Sequence, residues 1–276
     1  MSCEAGPPVA GGGVESYAFD NDAPEAAHRH HHLAEILDDP TIQCLSGLGD
    51  LVGARCLEIG AGGGSIAGWL AQEVGPAGRV LATDLNTRYL TPGGGYEVLR
   101  HDLVAEPVPD GPWDVIHVRL VLLHLPQRRE ILHRLAAALA PGGAIVVEDF
   151  ETTLRKMVLA APTAEDAALV EAYYDLLVGR LLPAHGNDPT WAGQVHAAML
   201  GEGLTDVRTV VQARSWAGGT AGALLMEANV AELRAEFLEA GMSAAQLDRL
   251  HALARDPRFV VRGYLTYSTT GQRSHG

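Results

Sequence analysis

Lysine is nearly missing from this chain of 276 residues: Lys156 stands alone beside arginines among 20 basic side chains. Against them stand 34 acidic residues, a formal charge of −14. A chain this acidic is repelled by a phosphate backbone, so a nucleic-acid partner is not expected. Cysteine is scarce as well. Cys3, Cys44 and Cys56 are odd in number and irregularly spaced, which gives neither a disulfide framework nor a metal pair. A reducing, cytoplasmic setting is the expectation. No apolar run reaches membrane-spanning length, and nothing near Met1 reads as a signal peptide, so no membrane partner is expected. Arginine in place of lysine, together with 32 glycines, reads as the coding bias of a GC-rich genome.

What the chain does have is Cys56-Leu57-Glu58-Ile59-Gly60-Ala61-Gly62-Gly63-Gly64-Ser65. An apolar strand runs into a turn of glycines, and a helix starts at once. Glycines let a ligand approach the backbone, because no Cβ stands in the way. The free N–H groups of the new helix add polarity of one sign. In an open α/β sheet a ligand lies across the carboxyl ends of the strands. The stretch therefore predicts a nucleotide-like ligand over Gly60 to Gly64.

Residues 1–13 read as a disordered tail, followed by a helix from about Pro24 to Leu37. That helix carries His28, His30, His31 and His32, read as a solvated face, since no carboxylate or cysteine completes a metal site. A second short helix is expected over Thr41 to Leu48. Strands follow at Arg55–Ile59, Arg79–Leu85, Tyr96–Val104, Trp113–Val118 and Ala144–Val147, with helices at Ser65–Val74 and Gln127–Ala140 between them. Strand–helix–strand repeats with mostly apolar strands imply a parallel sheet wound on both sides. Beyond residue 150 come helices from Thr163 to about Leu181, from Asp188-Pro189 to Gly201, and from Ala221 to Ala240. Another opens on the capping box of Ser243 and Gln246. Strands are expected at Val207–Ser215 and Phe259–Ser268. No linker divides the chain. Residues 14–276 read as one domain, with an N-terminal helical lid over 14–50, a cofactor core over 51–150 and substrate-side segments over 151–276.

Asp84 ends the second strand, twenty-four residues after Gly60, where a carboxylate accepts hydrogen bonds from both hydroxyls of a ribose. Glu58-Ile59-Gly60-Ala61-Gly62-Gly63-Gly64 resembles the E/D-x-G-x-G-x-G signature of class I S-adenosylmethionine-dependent methyltransferases. Asp84, Asp102 after the third strand, Asp114-Val115-Ile116 with Leu122-Leu123-His124-Leu125, and Leu139-Ala140-Pro141-Gly142-Gly143 match that family's later motifs in order and spacing. The resemblance covers roughly residues 50–150. It implies a Rossmann-like, doubly wound, seven-stranded mixed sheet with N-terminal and inserted lid helices, closed by Val207–Ser215 and Phe259–Ser268 as an antiparallel hairpin.

The same resemblance implies the roles of individual residues. Gly60, Ala61, Gly62 and Gly64 would let the backbone meet the methionine and ribose parts of S-adenosylmethionine. Glu58 would support the loop or the cofactor amine. Asp84, with Leu85 beside it, would take the ribose. Asp102, flanked by His101 and Leu103, would meet the adenine amine. Arg119 would lie near the methionine carboxylate, or else in a surface salt bridge, and Tyr17 would close over cofactor or substrate. Transfer to a small-molecule acceptor is an in-line displacement that mainly needs alignment. A base is needed only where the acceptor loses a proton; His124, His185, Glu148 and Asp149 are the candidates. No metal is expected. Three other readings stay open: a nicotinamide dehydrogenase, which the absence of G-x-G-x-x-G register disfavours; the same fold using the sulfonium for another reaction; and a non-enzymatic scaffold. A homodimer through the N-terminal helices or the 221–240 helix is compatible with the sequence, and bacterial natural-product or detoxification chemistry suits the composition.

Overall fold

The computed structural model describes residues 25–91 and 93–275. Five strands come before the cap, with α-helices after the first and the fourth. The strands of the first half are β1 (Arg55–Ile59), β2 (Arg79–Asp84), β3 (Glu97–Arg100), β4 (Trp113–Arg119) and β5 (Leu139–Glu151). Two short strands belong to the cap, β6 (Val158–Ala160) and β8 (Ser215–Ala217), and β7 (Thr205–Gln212) lies between them in sequence. The chain closes with β9 (Val260–Arg262) and β10 (Leu265–Gln272). The helices are α1 (Glu25–Ser46), α2 (Ser65–Val74), α3 (Arg128–Ala137), α4 (Ala164–Leu176), α5 (Leu182–Ala184), α6 (Trp191–Gly201), α7 (Ala221–Glu232), α8 (Arg234–Glu239) and α9 (Ala244–Leu253).

Seven strands form one sheet in the order β3-β2-β1-β4-β5-β10-β7. The first five are parallel, and β10 runs antiparallel to both β5 and β7. The chain moves outward from β1 to β3, then returns to place β4 on the other side of β1. That reversal opens a crevice at the carboxyl ends of β1 and β4, where such sheets bind ligands. β1 and β4 are buried nearly throughout, as strands covered on both faces must be. One apolar cluster, with Ile66, Leu70 and Val80, packs α2 on one face. Another, with Trp113, Ile131, Leu135 and Trp191, packs α3 and α6 on the other. A third core belongs to the cap. It gathers Tyr173, Leu177, Met226, Phe237, Leu250 and Phe259 above the open end of the sheet.

Several expected boundaries move. The separate helix over Thr41–Leu48 does not exist: α1 runs through Pro40 to Ser46. Proline removes one backbone bond, but buried Leu37 and Leu45 and the tethered side chain of Thr41 keep the axis continuous. The long helix over 221–240 breaks at Leu233, whose φ of −102° and ψ of 20° end α7 and start α8. Leu233 is buried, and the break lets Phe237 enter the same core. The expected last strand splits, because the backbone at Gly263 lies against the Trp216 indole; a Cβ there would sit 2.6 Å from the ring. Val260–Arg262 joins β6 and β8 in a three-stranded sheet, while Leu265–Gln272 pairs in the main one. The helix expected to reach Leu181 ends in a π-helical turn over Leu177–Leu181. Pro141-Gly142-Gly143, expected as a breaker, lies inside β5 as a register shift opposite Trp113 and Val115. The third strand is confined to Glu97–Arg100.

Candidate active site

A cavity of about 570 Å³ opens at the β1/β4 crevice and extends under the cap. Its floor is the glycine turn. Gly60 has φ +67°, and a Cβ there would stand 2.3 Å from Val121 Cγ2 on the segment after β4. Gly64 has φ +78°, and its Cβ would meet the Tyr96 hydroxyl at 2.5 Å. Conformation and space together demand glycine at Gly60, and the positive φ alone favours it at Gly64. Gly60, Ala61, Gly62 and Gly63 border the cavity; Gly64 supports them from below as the left-handed residue before α2.

Asp84 ends β2 beside this turn. Its carboxylate accepts from the Gly62 amide at 2.9 Å and from the Asn86 amide at 3.0 Å. The side chain thus ties the turn to the end of β2 while bordering the cavity with Leu85. Farther along, His101, Asp102, Leu103 and Val104 form the neighbouring wall. Asp102 Oδ1 accepts from the amides of Val104 (2.9 Å) and Ala105 (3.1 Å), and buried His101 Nε2 lies 2.9 Å from the Pro107 carbonyl. The Leu103 carbonyl is held by Arg134 at 2.6 Å. This wall is rigid through its own hydrogen bonds.

Glu58, expected to support the loop or the cofactor amine, lies behind the glycine turn and does not border the cavity. It faces away from the cavity, with Oε2 2.7 Å from His117 Nδ1. His117 Nε2 lies 3.2 Å from Glu148 Oε2, and Glu148 also accepts from Thr41 and Ser268. Burial alone would lower the His117 pKa, but the carboxylates of Glu58 and Glu148 outweigh it and lift the imidazole to about 9. Glu148 is held below the usual carboxylate range: burial opposes ionisation, and the imidazolium with two hydroxyl donors overcomes it. Glu148 is thus an internal structural anion. Arg119 borders the cavity and is positioned by the same cluster. Its guanidinium donates to Thr41 Oγ1 and to Asp38 Oδ1, both at 2.9 Å.

The other three candidate bases separate in space. His124 borders the cavity, where Asn187 Nδ2 donates to its Nδ1 at 3.2 Å. Burial, then the charges of Arg29 and Arg128, depress its pKa to about 3, so the ring is neutral. His185 lies outside the cavity wall, with Nε2 3.2 Å from Glu236. Asp149 is buried behind the wall; the Leu123 amide and the Trp191 indole face it at geometry short of a full hydrogen bond. Burial raises its pKa well above the carboxylate range. Tyr17 lies outside the described residues.

The sequence predicts lid segments on both sides but not which residues of α1 and of the cap line the cavity. His30, read as solvated, borders the cavity over the glycine turn and packs edge-on against Tyr89, with ring centroids 5.2 Å apart. Burial lowers its pKa, with the Arg29 charge adding to the effect. His31, by contrast, has an exposed side chain, 73 % accessible. The signal for His30 was its spacing from Leu33 and Leu37 along one helix face. Thr152, Asn187 and Asn229 carry no motif that would single them out. Among the described residues no group of three or more His, Cys, Asp or Glu side chains is placed to hold a metal. No described helix is long and apolar enough to cross a membrane.

A family model described as a methyltransferase domain matches residues 26–198, more than half of the chain. Methyltransferase str2 of Strobilurus tenacellus is 39 % identical over 104 residues, 35 % of this chain and 36 % of that protein. A ubiquinone/menaquinone biosynthesis C-methyltransferase of Pseudomonas entomophila is 27 % identical over 140 residues, 47 % of this chain and 53 % of that protein. The aligned part thus spans about a third to a half of the length of these relatives. In fold, the chain is similar to a phosphoethanolamine N-methyltransferase of Haemonchus contortus solved with S-adenosyl-L-methionine: TM-score 0.56, 14 % identity, 95 % of this chain and 61 % of that one.

Proposed function

This chain belongs to the class I S-adenosylmethionine-dependent methyltransferases, and from that premise we propose that it transfers a methyl group to a small organic acceptor held under its cap. The observation that carries the proposal is one cavity in which the glycine turn, Asp84 and Asp102 share a wall with Arg119 and open onto cap residues such as Leu177 and Leu225. The residues fit the cofactor on their own terms. The backbone of Gly60 to Gly63 borders a cavity of about 570 Å³, and at Gly60 Val121 leaves no space for a side chain. We assign Gly60–Gly64 to its methionine and ribose parts, Asp84 to the ribose hydroxyls, His101–Leu103 to the adenine edge, and Arg119 to the methionine carboxylate.

When bound, S-adenosylmethionine supplies a methyl carbon already activated by its sulfonium. The chain's own contribution is alignment and exclusion of water. Arg119, fixed by Asp38 and Thr41, orients from the α1 side; the cap closes the opposite side. Neutral His124, tethered by Asn187, orients the acceptor. His185 and Asp149 act, in this reading, on the shape of the site from outside it. Residues 14–276 work as one domain in this scheme. Bacterial natural-product or detoxification chemistry is the setting we infer, supported by the GC-type composition and the cap-built pocket. The test is a mass-detected assay with S-adenosylmethionine and a panel of phenols, carboxylic acids and amines. Gain of one methyl group by a panel member is the expected result; cofactor bound and consumed without any methylated product would favour another sulfonium reaction.

A further inference from the structure

The cap end of the cavity has a chemistry distinct from the cofactor end. Leu33, Phe150, Leu177, Leu182, Leu225 and Tyr264 make it apolar. Its charge is already matched: Arg29 borders it, but Nη1 lies 2.8 Å from Glu232 Oε2, and both side chains are at most 4 % exposed. A carboxylate, phosphate or ammonium entering here would give up its water without meeting an uncompensated partner among the described residues, which is costly.

Two polar atoms at this end are left unmatched. Thr152 and Asn187 border the cavity, and their Oγ1 and Oδ1 atoms are buried without a hydrogen-bond partner among the described residues. Thr152 is 5 % exposed and Asn187 6 %. Their segments are fixed by backbone bonds: Thr152 N donates to the carbonyl of Pro189, two residues beyond Asn187, at 3.2 Å, and Asp188 N donates to Leu123 O at 2.8 Å. Asn187 is further fixed because its amide donates to His124, and Asn229 already gives its amide to Tyr173 at 3.4 Å. A buried polar atom without a partner is destabilising, and native proteins leave few of them. Asn187 Oδ1 accepts only, so its missing partner is a donor. Thr152 Oγ1 both donates and accepts. A ligand hydroxyl meets both demands, since it donates to an amide oxygen and both donates to and accepts from another hydroxyl.

Resting on the methyltransferase reading above, we propose that the acceptor is an uncharged, mainly apolar molecule bearing a hydroxyl group, and that Asn187 Oδ1 and Thr152 Oγ1 recognise that hydroxyl. The two residues are specificity determinants; His124 completes the polar patch beside them.

The test is calorimetric binding to the protein saturated with S-adenosylhomocysteine. Matched probes differ only in the polar group: naphthol, phenylphenol and octanol against naphthoate, phenylbenzoate and octanoate, with methoxynaphthalene as the hydroxyl-free control. Hydroxyl probes are expected to bind at least ~tenfold tighter than their carboxylates and than the methoxy control, the scale of one buried hydrogen bond. Thr152→Val, nearly isosteric, and Asn187→Ala should each weaken the hydroxyl probes ~tenfold. Affinity for methoxynaphthalene and for S-adenosylhomocysteine should stay within ~twofold, which a general structural defect would not allow. Carboxylates binding as tightly as alcohols, no hydroxyl probe binding at all, or an intact hydroxyl preference in both variants would overturn the inference. Failure of S-adenosylhomocysteine itself to bind would instead overturn the methyltransferase reading.

Discussion

Glu58 and His117 meet between adjacent strands, carboxylate Oε2 2.7 Å from imidazole Nδ1, and neither borders the cavity. The acidic position of the glycine motif thus serves the floor of the site. It holds a buried imidazolium whose other nitrogen faces Glu148, and Glu148 in turn holds Thr41 of α1. Removing one member leaves a charge buried without its full complement. Glu58→Leu should therefore lower the unfolding free energy by ~3–5 kcal/mol, read from urea denaturation. A loss below ~1 kcal/mol would show that the pair is dispensable.

The pH dependence of stability follows from the same imidazole. Its folded-state pKa, about 9, stands above the ordinary value of 6.5. A raised pKa means that the folded state holds the proton more tightly than the unfolded one. The stabilisation is complete below about 6.5 and is lost as pH rises through about 9. Unfolding free energy measured from pH 6 to 10 should fall across that window, and the fall attributable to this group should vanish in His117→Gln.

His124 gives the opposite sign. Its folded-state pKa of about 3 lies below 6.5, so it contributes stability that fades as pH falls from about 6.5 toward 3. In the working range its ring is neutral throughout. The pH profile of kcat/KM for a substrate that does not ionise should show no inflection between pH 5 and 8 that disappears in His124→Gln.

Gly60 is enclosed on two counts, a φ of +67° and a Cβ position 2.3 Å from Val121 Cγ2. Gly60→Ala should destabilise the fold by more than ~1 kcal/mol and weaken S-adenosylhomocysteine binding. Adding Val121→Ala should recover part of the loss, because it removes the contact and leaves the backbone strain. Simple additivity of the two substitutions would contradict this packing relationship.

The sheet and the cofactor end were legible because local chemistry writes them locally. Apolar strands, the glycine turn and Asp84 lie within thirty residues of one another, and each has a backbone reason to be what it is. The cap was only partly legible. Leu233 and Gly263 break a helix and a strand through contacts with distant side chains, Phe237's core and the Trp216 ring. Whether Glu58 supports the loop or the cofactor amine stayed open in the sequence, because its partner His117 is fifty-nine residues away and carries no motif. Thr152 and Asn187 are ordinary polar residues in sequence; only their burial beside a cavity without a partner marks them.

Asp84 offers the most direct test of cofactor binding, since its carboxylate ends β2 and already receives the Gly62 amide at 2.9 Å. Calorimetric titration with S-adenosylhomocysteine and with NAD should show binding of the first and none of the second, and Asp84→Ala should weaken the first by at least ~1 kcal/mol. Binding of NAD alone, or unchanged affinity in a folded Asp84→Ala protein, would contradict the assignment of this cavity to S-adenosylmethionine.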